Sequence, residues 1–172
     1  MAWGAVAAFT ENEVVTAAKL NQMADNLEYL RNPNEYAFFD GNGPEMTTTS
    51  SSYVSMGSDF EQASFVTTGR PLLVYLQASV RVTGSASEDG HFDIEIDGAR
   101  IGHVNRGIVS VGRETNAGSV VSTPPYYADI GAIITGLAAG THSVEMHWAV
   151  ESGGTLRVGY GNAAIRWYVR EL

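Results

Sequence analysis

Alternating apolar and polar positions are the clearest pattern in this chain. Between residues 72 and 82 every even-numbered side chain is apolar, whereas polar side chains such as Gln77 and Arg81 stand at odd positions. Neighbouring residues of an extended strand point to opposite sides of a sheet, so the pattern predicts a long strand with one buried face. The segments 142–150 and 126–135 predict two more strands, the first by the same alternation and the second by its apolar character.

A hairpin is predicted where another alternating segment meets a turn dipeptide. The apolar face of this segment carries Phe92, Ile94 and Ile96. Its polar face carries His91, Asp93, Glu95 and Asp97. Asp97-Gly98 favours a tight two-residue turn because both residue types tolerate positive φ. We therefore expect the chain to return along residues 100–104.

The final strand segment changes its buried face partway along. After a predicted turn at Gly153-Gly154, apolar residues stand at even positions as far as Tyr160. From Ala163 onward they stand at odd positions. A β-bulge or a sharp bend near residues 159–162 would bring both halves onto one buried face, and we predict such a feature there.

The fold class follows from the number and spacing of these strands. Residues 34–71 add enough apolar side chains for two short strands, around a Ser/Thr run at 47–52. The chain then holds about eight to ten strands, separated by turn-forming residues and without helices between them. This arrangement predicts a mainly β protein, an antiparallel sandwich of jelly-roll type, with an immunoglobulin-like sandwich as the alternative.

One segment, residues 10–33, has the pattern of a helix instead. Thr16 suits the N-cap, and Pro33 ends the helix because the residue before a proline disfavours helical backbone. Apolar residues recur at intervals of three, four and three, at Leu20, Met23, Leu27 and Leu30. This is the spacing of a coiled-coil seam, so we predict a partner helix from another copy or a neighbouring subunit. The alternative is that the stripe docks on the chain's own β-domain.

Length and composition limit the organisation and the classes of function. The 172 residues suit one domain with an appendage, which we divide into an oligomerisation helix (1–34) and a β-sandwich head (35–172). The net charge of −9 argues against a nucleic-acid partner, and the absence of cysteine excludes disulfides and thiolate metal sites. We expect no secretory signal, because the N-terminal residues lack a basic region, and no membrane insertion.

Residues with evident chemistry are few. The sequence contains no nucleophile elbow, phosphate-binding loop or His-Glu-x-x-His motif, so we expect neither enzymatic activity nor a cofactor. Asp93, Glu95 and Asp97 are candidate metal ligands, because a hard cation such as Ca²⁺ prefers clustered carboxylate oxygens. The alternative is a solvated face whose charges keep the sheet soluble and discourage edge pairing.

Tyrosines provide a second type of candidate site. Tyr126 and Tyr127 are candidates for stacking on a sugar, as are Tyr75 and Tyr168, although aromatic residues of a small sandwich also serve as core or subunit interface. A glycosidase would need two carboxylates at a fixed separation in a cleft, and the sequence marks no such pair.

The segment VVTAAKLNQMADNLEYLRNP resembles a short N-terminal signature of tailed-bacteriophage structural proteins, in which a threonine-capped helix opens a minor tail, fibre or decoration-type subunit. The matching residues are Thr16, Ala17, Leu20, Asn21, Asn26, Leu27 and Leu30. The segment GLAAGTHSVEMHWAVESGGTLRV is similar to the Gly-Thr-His-x-Val strand and Gly-Gly turn of β-sandwich heads in phage virion proteins.

This resemblance implies a virion component whose helix attaches or trimerises the subunit and whose head faces outward. We expect a homotrimer, made in the host cytoplasm, that contacts other virion proteins. A tail-fibre, appendage or minor tail subunit is the leading hypothesis, and a capsid decoration or head fibre protein is the alternative. A carbohydrate- or receptor-binding module, with a host surface glycan as partner, is the alternative from another class.

Overall fold

The computed structural model describes residues 16–31, 35–40, 44–84, 89–112, 126–161 and 163–172. These ranges contain one α-helix, α1 (Ala17–Arg31), a short 3₁₀ helix (Ser58–Phe60) and twelve β-strands. The strands are β1 (Glu35–Asp40), β2 (Met46–Thr48), β3 (Val54–Ser55), β4 (Glu61–Thr68), β5 (Leu72–Thr83), β6 (Asp89–Ile96), β7 (Ala99–Arg100), β8 (Val109–Gly112), β9 (Tyr126–Ile134), β10 (Ala139–Val150), β11 (Thr155–Val158) and β12 (Ile165–Glu171). The prediction of a mainly β, antiparallel protein with one N-terminal helix is confirmed.

Helix α1 begins where the sequence predicts. The Thr16 hydroxyl accepts a hydrogen bond from the Lys19 backbone N–H at 3.3 Å, and the Thr16 carbonyl accepts the first helical bond from Leu20 at 3.1 Å. A threonine that satisfies a free N–H of the first turn is an N-cap, so this prediction is confirmed. The predicted stop at Pro33 lies outside the described residues.

The first sheet, sheet A, is built around the long strand β5. Its strand order is β1-β12-β5-β11-β2, and β9 pairs with the other edge of β5. β12 pairs with the first half of β5 and β11 with the second half, so one edge of β5 is covered by two successive strands. Between them Gly159 and Gly161 have φ of 71° and 72°, which turns the chain sharply. The predicted bend near residues 159–162 is therefore confirmed.

The second sheet, sheet B, contains the predicted hairpin. Its strand order is β3-β10-β6-β7, with β4 also beside β10 and β8 also beside β6. Asp97 (φ 51°) and Gly98 (φ 78°) form the two-residue turn between β6 and β7. The hairpin prediction is confirmed, but the return strand ends at Arg100. The expectation that it continues to Val104 is wrong, because the chain leaves the sheet edge after Arg100 and rejoins it at β8.

One apolar core fills the space between the two sheets. The predicted inward residues of β5, β6 and β10 are all buried, as are those of β11 and β12. Trp167 and Phe60 are among the largest buried side chains, and their ring centroids lie 6.3 Å apart. The alternation in the sequence therefore identifies the core correctly. The jelly-roll subtype and the division at residue 34 stay predictions.

Candidate functional site

The predicted seam of α1 is largely exposed. Leu20, Met23 and Leu27 are 54%, 41% and 65% exposed, and the side chain of Leu30 lies outside the described part of the chain. Asn26 borders the seam, three residues from Met23 and four from Leu30; it is buried and accepts a hydrogen bond from Gln22 Nε2 at 3.0 Å. The described strands therefore leave these three apolar side chains available to a partner.

The polar face of β6 differs from its sequence-based interpretation. The alternative of a solvated face is wrong for His91 and Asp93, which are 5% and 0% exposed. The physical reason is that Arg100 of β7 and Gly102 of the following loop lie against Asp93, while Ser110 of β8 lies beside His91. Alternation along a single strand cannot show that the loop after the next turn folds back over its polar side.

Asp93 is a buried carboxylate with a complete set of partners. Its Oδ1 accepts hydrogen bonds from the backbone N–H groups of Ile94 at 2.8 Å and Gly102 at 2.9 Å. Its Oδ2 pairs with Arg100 Nη1 at 3.1 Å, while Arg100 Nη2 donates to the Val104 carbonyl at 3.1 Å. The guanidinium carbon also lies 3.9 Å from the ring centroid of Tyr53, a cation–π geometry. Asp93 therefore holds the loop in place.

Asp97 joins the β6–β7 turn to strand β10. Its Oδ2 lies 2.6 Å from His142 Nδ1, and its Oδ1 accepts a hydrogen bond from the Ser143 N–H at 2.9 Å. The bond to Asp97 raises the pKa of His142, and a second bond at 3.0 Å, from His142 Nε2 to the Ala138 carbonyl, acts in the same direction. The bond from His142 lowers the pKa of Asp97. The predicted metal ligands Asp93 and Asp97 thus have separate protein partners.

Glu95, the third predicted ligand, belongs to a different cluster. It lies opposite Glu145 in the β6–β10 register, and His147 Nε2 lies 3.5 Å from Glu95 Oε2 and 3.0 Å from Glu145 Oε2. One ligand atom from each side chain lies within 4.8 Å of the others. The sequence shows alternation on each strand but not the register between them, so it identified Glu95 without its two partners.

A polar cavity lies beside the Asp93 network and has a volume of about 520 Å³. Its polar lining comprises Ser51, Ser52, Tyr53, His91, Arg100, Asn105 and Glu151. Burial lowers the pKa of His91, and its Nδ1 lies 2.9 Å from the Ser110 hydroxyl. Burial, followed by the charge of Asp93, raises the pKa of Tyr53. At neutral pH the cavity therefore presents hydroxyl, amide and neutral imidazole groups beside the charged Arg100 and Glu151.

This cavity does not contain the carboxylate pair of a glycosidase. Among the described residues that line it, Glu151 is the single carboxylate. Two carboxyl groups are needed for that chemistry, one as acid and one as base or nucleophile.

The predicted tyrosine sites have different environments. Tyr127 is 72% exposed on β9, and the side chain of Tyr126 lies outside the described part of the chain. Tyr75 and Tyr168 stack on the outer face of sheet A with ring centroids 5.1 Å apart. The Tyr75 hydroxyl donates a hydrogen bond to Asp129, which raises the pKa of Tyr75 to about 12. Tyr127 is therefore the candidate most available for stacking.

Comparison with known proteins gives structural similarity without a family assignment. No protein-family model and no curated protein matches the sequence. Solved structures that match include infectious bursal virus-derived T=1 particles (14% identity, 81% of this chain, 36% of that chain, TM-score 0.42). They also include the VP2 subviral particle of infectious bursal disease virus (11% identity, 81% of this chain, 37% of that chain, TM-score 0.40).

A bacterial protein is among the matches as well. Dimeric latent PorU from Porphyromonas gingivalis matches at 7% identity, over 81% of this chain and 13% of that chain, with a TM-score of 0.35. The chain thus spans between 13% and 37% of the length of these proteins. Because every reported TM-score is below 0.5, these similarities assign no function. Separately, no helix in the described part of the chain is long and apolar enough to span a bilayer.

Proposed function

We propose that this chain is a structural component of a bacteriophage virion, a tail-fibre, appendage or minor tail subunit. Three copies associate through α1, and the β-sandwich head of each copy faces outward. A capsid decoration or head fibre protein is the alternative placement within the same class. On this proposal the protein is a building unit of the particle and has no catalytic role.

The exposed apolar seam of α1 is the observation that carries the proposal. A 15-residue helix is marginally stable alone in water, because helix nucleation is costly and packing must compensate for it. Leu20, Met23 and Leu27 have coiled-coil spacing, yet they are exposed in the single chain. Burial of this narrow stripe between three parallel copies would stabilise the helix and cover its exposed apolar side chains.

Two further features support the proposal. Helix α1 and its N-cap Thr16 carry the residues on which the resemblance to tailed-phage structural proteins rests. Much of the polar chemistry of the head, such as the Asp93–Arg100 pair, fastens loops and strands together. A head domain whose loops are held in place in this way presents a stable surface to other virion proteins.

The oligomer is tested with a charge placed in the seam. Leu27→Asp buries a carboxylate in the proposed helix bundle, so we expect light scattering to show a monomer in place of the wild-type trimer. Ala18→Asp is the matched control, because residue 18 is exposed and lies about half a turn around the helix from the seam. If Leu27→Asp retains the wild-type mass, or wild type is a monomer, the seam assignment is wrong.

Placement in the particle needs a separate experiment. Electron microscopy of phage particles labelled with an antibody against the head is expected to show label on the tail. Label distributed over the capsid would favour the decoration alternative. Purified particles that lack the protein would contradict both placements.

A carbohydrate-binding head is the second candidate function, and the polar cavity favours it. Hydroxyl, amide and neutral imidazole groups, together with Arg100 and Glu151, line this 520 Å³ cavity and suit the hydrogen-bonding pattern of a sugar. We expect a glycan array to give a signal that Asn105→Ala abolishes and Tyr127→Ala retains. The reverse result would place the sugar on the tyrosine face, and an array without signal would contradict this candidate.

A further inference from the structure

We propose that Glu95, Glu145 and His147 form a binding site for a divalent transition-metal ion, with Zn²⁺ as the representative ion. The three residues stand on the neighbouring strands β6 and β10, on the face of sheet B turned away from the core. A bound ion would cross-link these two strands. This site is distinct from the seam and from the polar cavity.

The distances between the donor atoms suit a metal with short bonds. Tetrahedral ligands at about 2.1 Å from zinc lie about 3.4 Å from one another. His147 Nε2 lies 3.0 Å from Glu145 Oε2 and 3.5 Å from Glu95 Oε2, which brackets this separation. The donor atoms all lie within 4.8 Å of one another, so a small rotation of a glutamate side chain completes the set.

The charges around the cluster also favour a cation. Glu145 lies directly opposite Glu95 on one side and Glu61 on the other, so three carboxylates stand side by side across three strands. Like charges in directly opposed positions destabilise a sheet. Arg100 stands opposite Glu95 on β7, but its guanidinium is paired with Asp93. A divalent ion coordinated by these carboxylates would offset their mutual repulsion.

The imidazole of His147 makes the site selective for transition metals over calcium and magnesium. Calcium and magnesium prefer oxygen ligands, whereas an imidazole with carboxylates suits zinc and related transition metals. The His147 side chain is 12% exposed, and its Nε2 faces the two glutamates at 3.0 and 3.5 Å. Three protein ligands leave one position for water or for a group from a partner.

The site is tested by calorimetric titration of tag-free, chelator-treated protein with ZnCl₂. We expect one Zn²⁺ per chain, a zinc-dependent rise in the melting temperature and no comparable binding of CaCl₂. Glu145→Gln is expected to abolish zinc binding. Because it also removes a repelling charge, it should raise the melting temperature of the metal-free protein above that of wild type.

A second ligand variant and a matched control complete the test. His147→Gln is expected to abolish zinc binding too, whereas His103→Gln should retain it, because His103 is exposed and lies outside the cluster. The proposal is overturned if wild type binds no zinc or if Glu145→Gln binds zinc as tightly as wild type. Equal binding of Ca²⁺ would overturn the assignment to a transition metal.

Discussion

Asp93 and Arg100 form an ion pair of 3.1 Å in which the carboxylate is fully buried and the guanidinium is largely covered. A buried charge is tolerated when it is paired and its remaining lone pairs accept hydrogen bonds. Asp93 meets both conditions, since two backbone N–H groups bind its Oδ1. The pair therefore fixes the path of the chain from β7 to β8, and with it one wall of the polar cavity.

Neutralising Asp93 should destabilise the head. Asp93→Asn leaves Arg100 next to an amide in a covered position, so we expect the free energy of unfolding to fall by about 3 kcal/mol. Urea unfolding followed by tryptophan fluorescence measures this loss. Asp59→Asn, at an exposed position, is the control and should change stability by less than about 0.5 kcal/mol. Equal effects of the two variants would contradict the role of the buried pair.

Substitutions at two glycines test how tightly the loop between β7 and β8 is packed. Gly107 has a φ of 61°, and a Cβ there would lie 2.1 Å from the Phe92 carbonyl oxygen, whereas Gly98 has a φ of 78° and open space around it. Gly98→Ala is therefore expected to cost about 1 kcal/mol from backbone strain alone. Gly107→Ala adds a steric clash with the main chain. We therefore expect it to lower the free energy of unfolding, measured with urea, by more than Gly98→Ala does. A smaller loss for Gly107→Ala would contradict the close packing of this loop.

The His142–Asp97 pair should make stability depend on pH. The pKa of His142 is raised above 6.5, so its contribution is complete below pH 6.5 and is lost as the pH rises through the folded-state pKa. The pKa of Asp97 is lowered from 3.8, so its contribution is present above pH 3.8 and is lost as the pH falls through the folded-state value. The pair is therefore expected to stabilise the fold most between pH 3.8 and 6.5.

The measurement compares wild type with His142→Gln by urea unfolding at pH 5.5 and pH 8.5. We expect the stability difference between the two proteins to be larger at the lower pH. The comparison is needed because burial lowers the pKa of His91, which makes wild type less stable as the pH falls below 6.5. A stability difference that is the same at both pH values would show that the pair is not charged.

The elements that the sequence predicts well are those set by local patterns. The alternation over residues 72–82 identified the buried face of β5, and the shift of phase after Tyr160 identified the bend between β11 and β12. Asp97-Gly98 identified the hairpin turn. Each of these features depends on side-chain direction within one strand or on the φ preference of two residues.

The candidate sites depend on contacts between separate elements of the fold, so the sequence showed them only in part. Glu95 meets Glu145 and His147 only because of the register of β6 against β10, some 50 residues along the chain. Asp93 becomes buried only because Gly102 tolerates close approach of the loop, with no space for a Cβ next to the carboxylate. The presence of glycine in this loop was visible in the sequence, but the partner it approaches was not.

The packing of Phe60 gives a final prediction, which concerns the core. Phe60 lies on the short 3₁₀ helix, is 2% exposed, and contacts the Phe38 ring edge-on with centroids 5.4 Å apart. Phe60→Ala leaves a cavity beside Trp167 and should lower the free energy of unfolding by about 4 kcal/mol, with weaker near-UV circular dichroism from the tryptophan. Val104→Ala is the control, because Val104 is 68% exposed and its truncation removes little burial. Losses of similar size in the two variants would show that Phe60 does not connect β1, through Phe38, to the core.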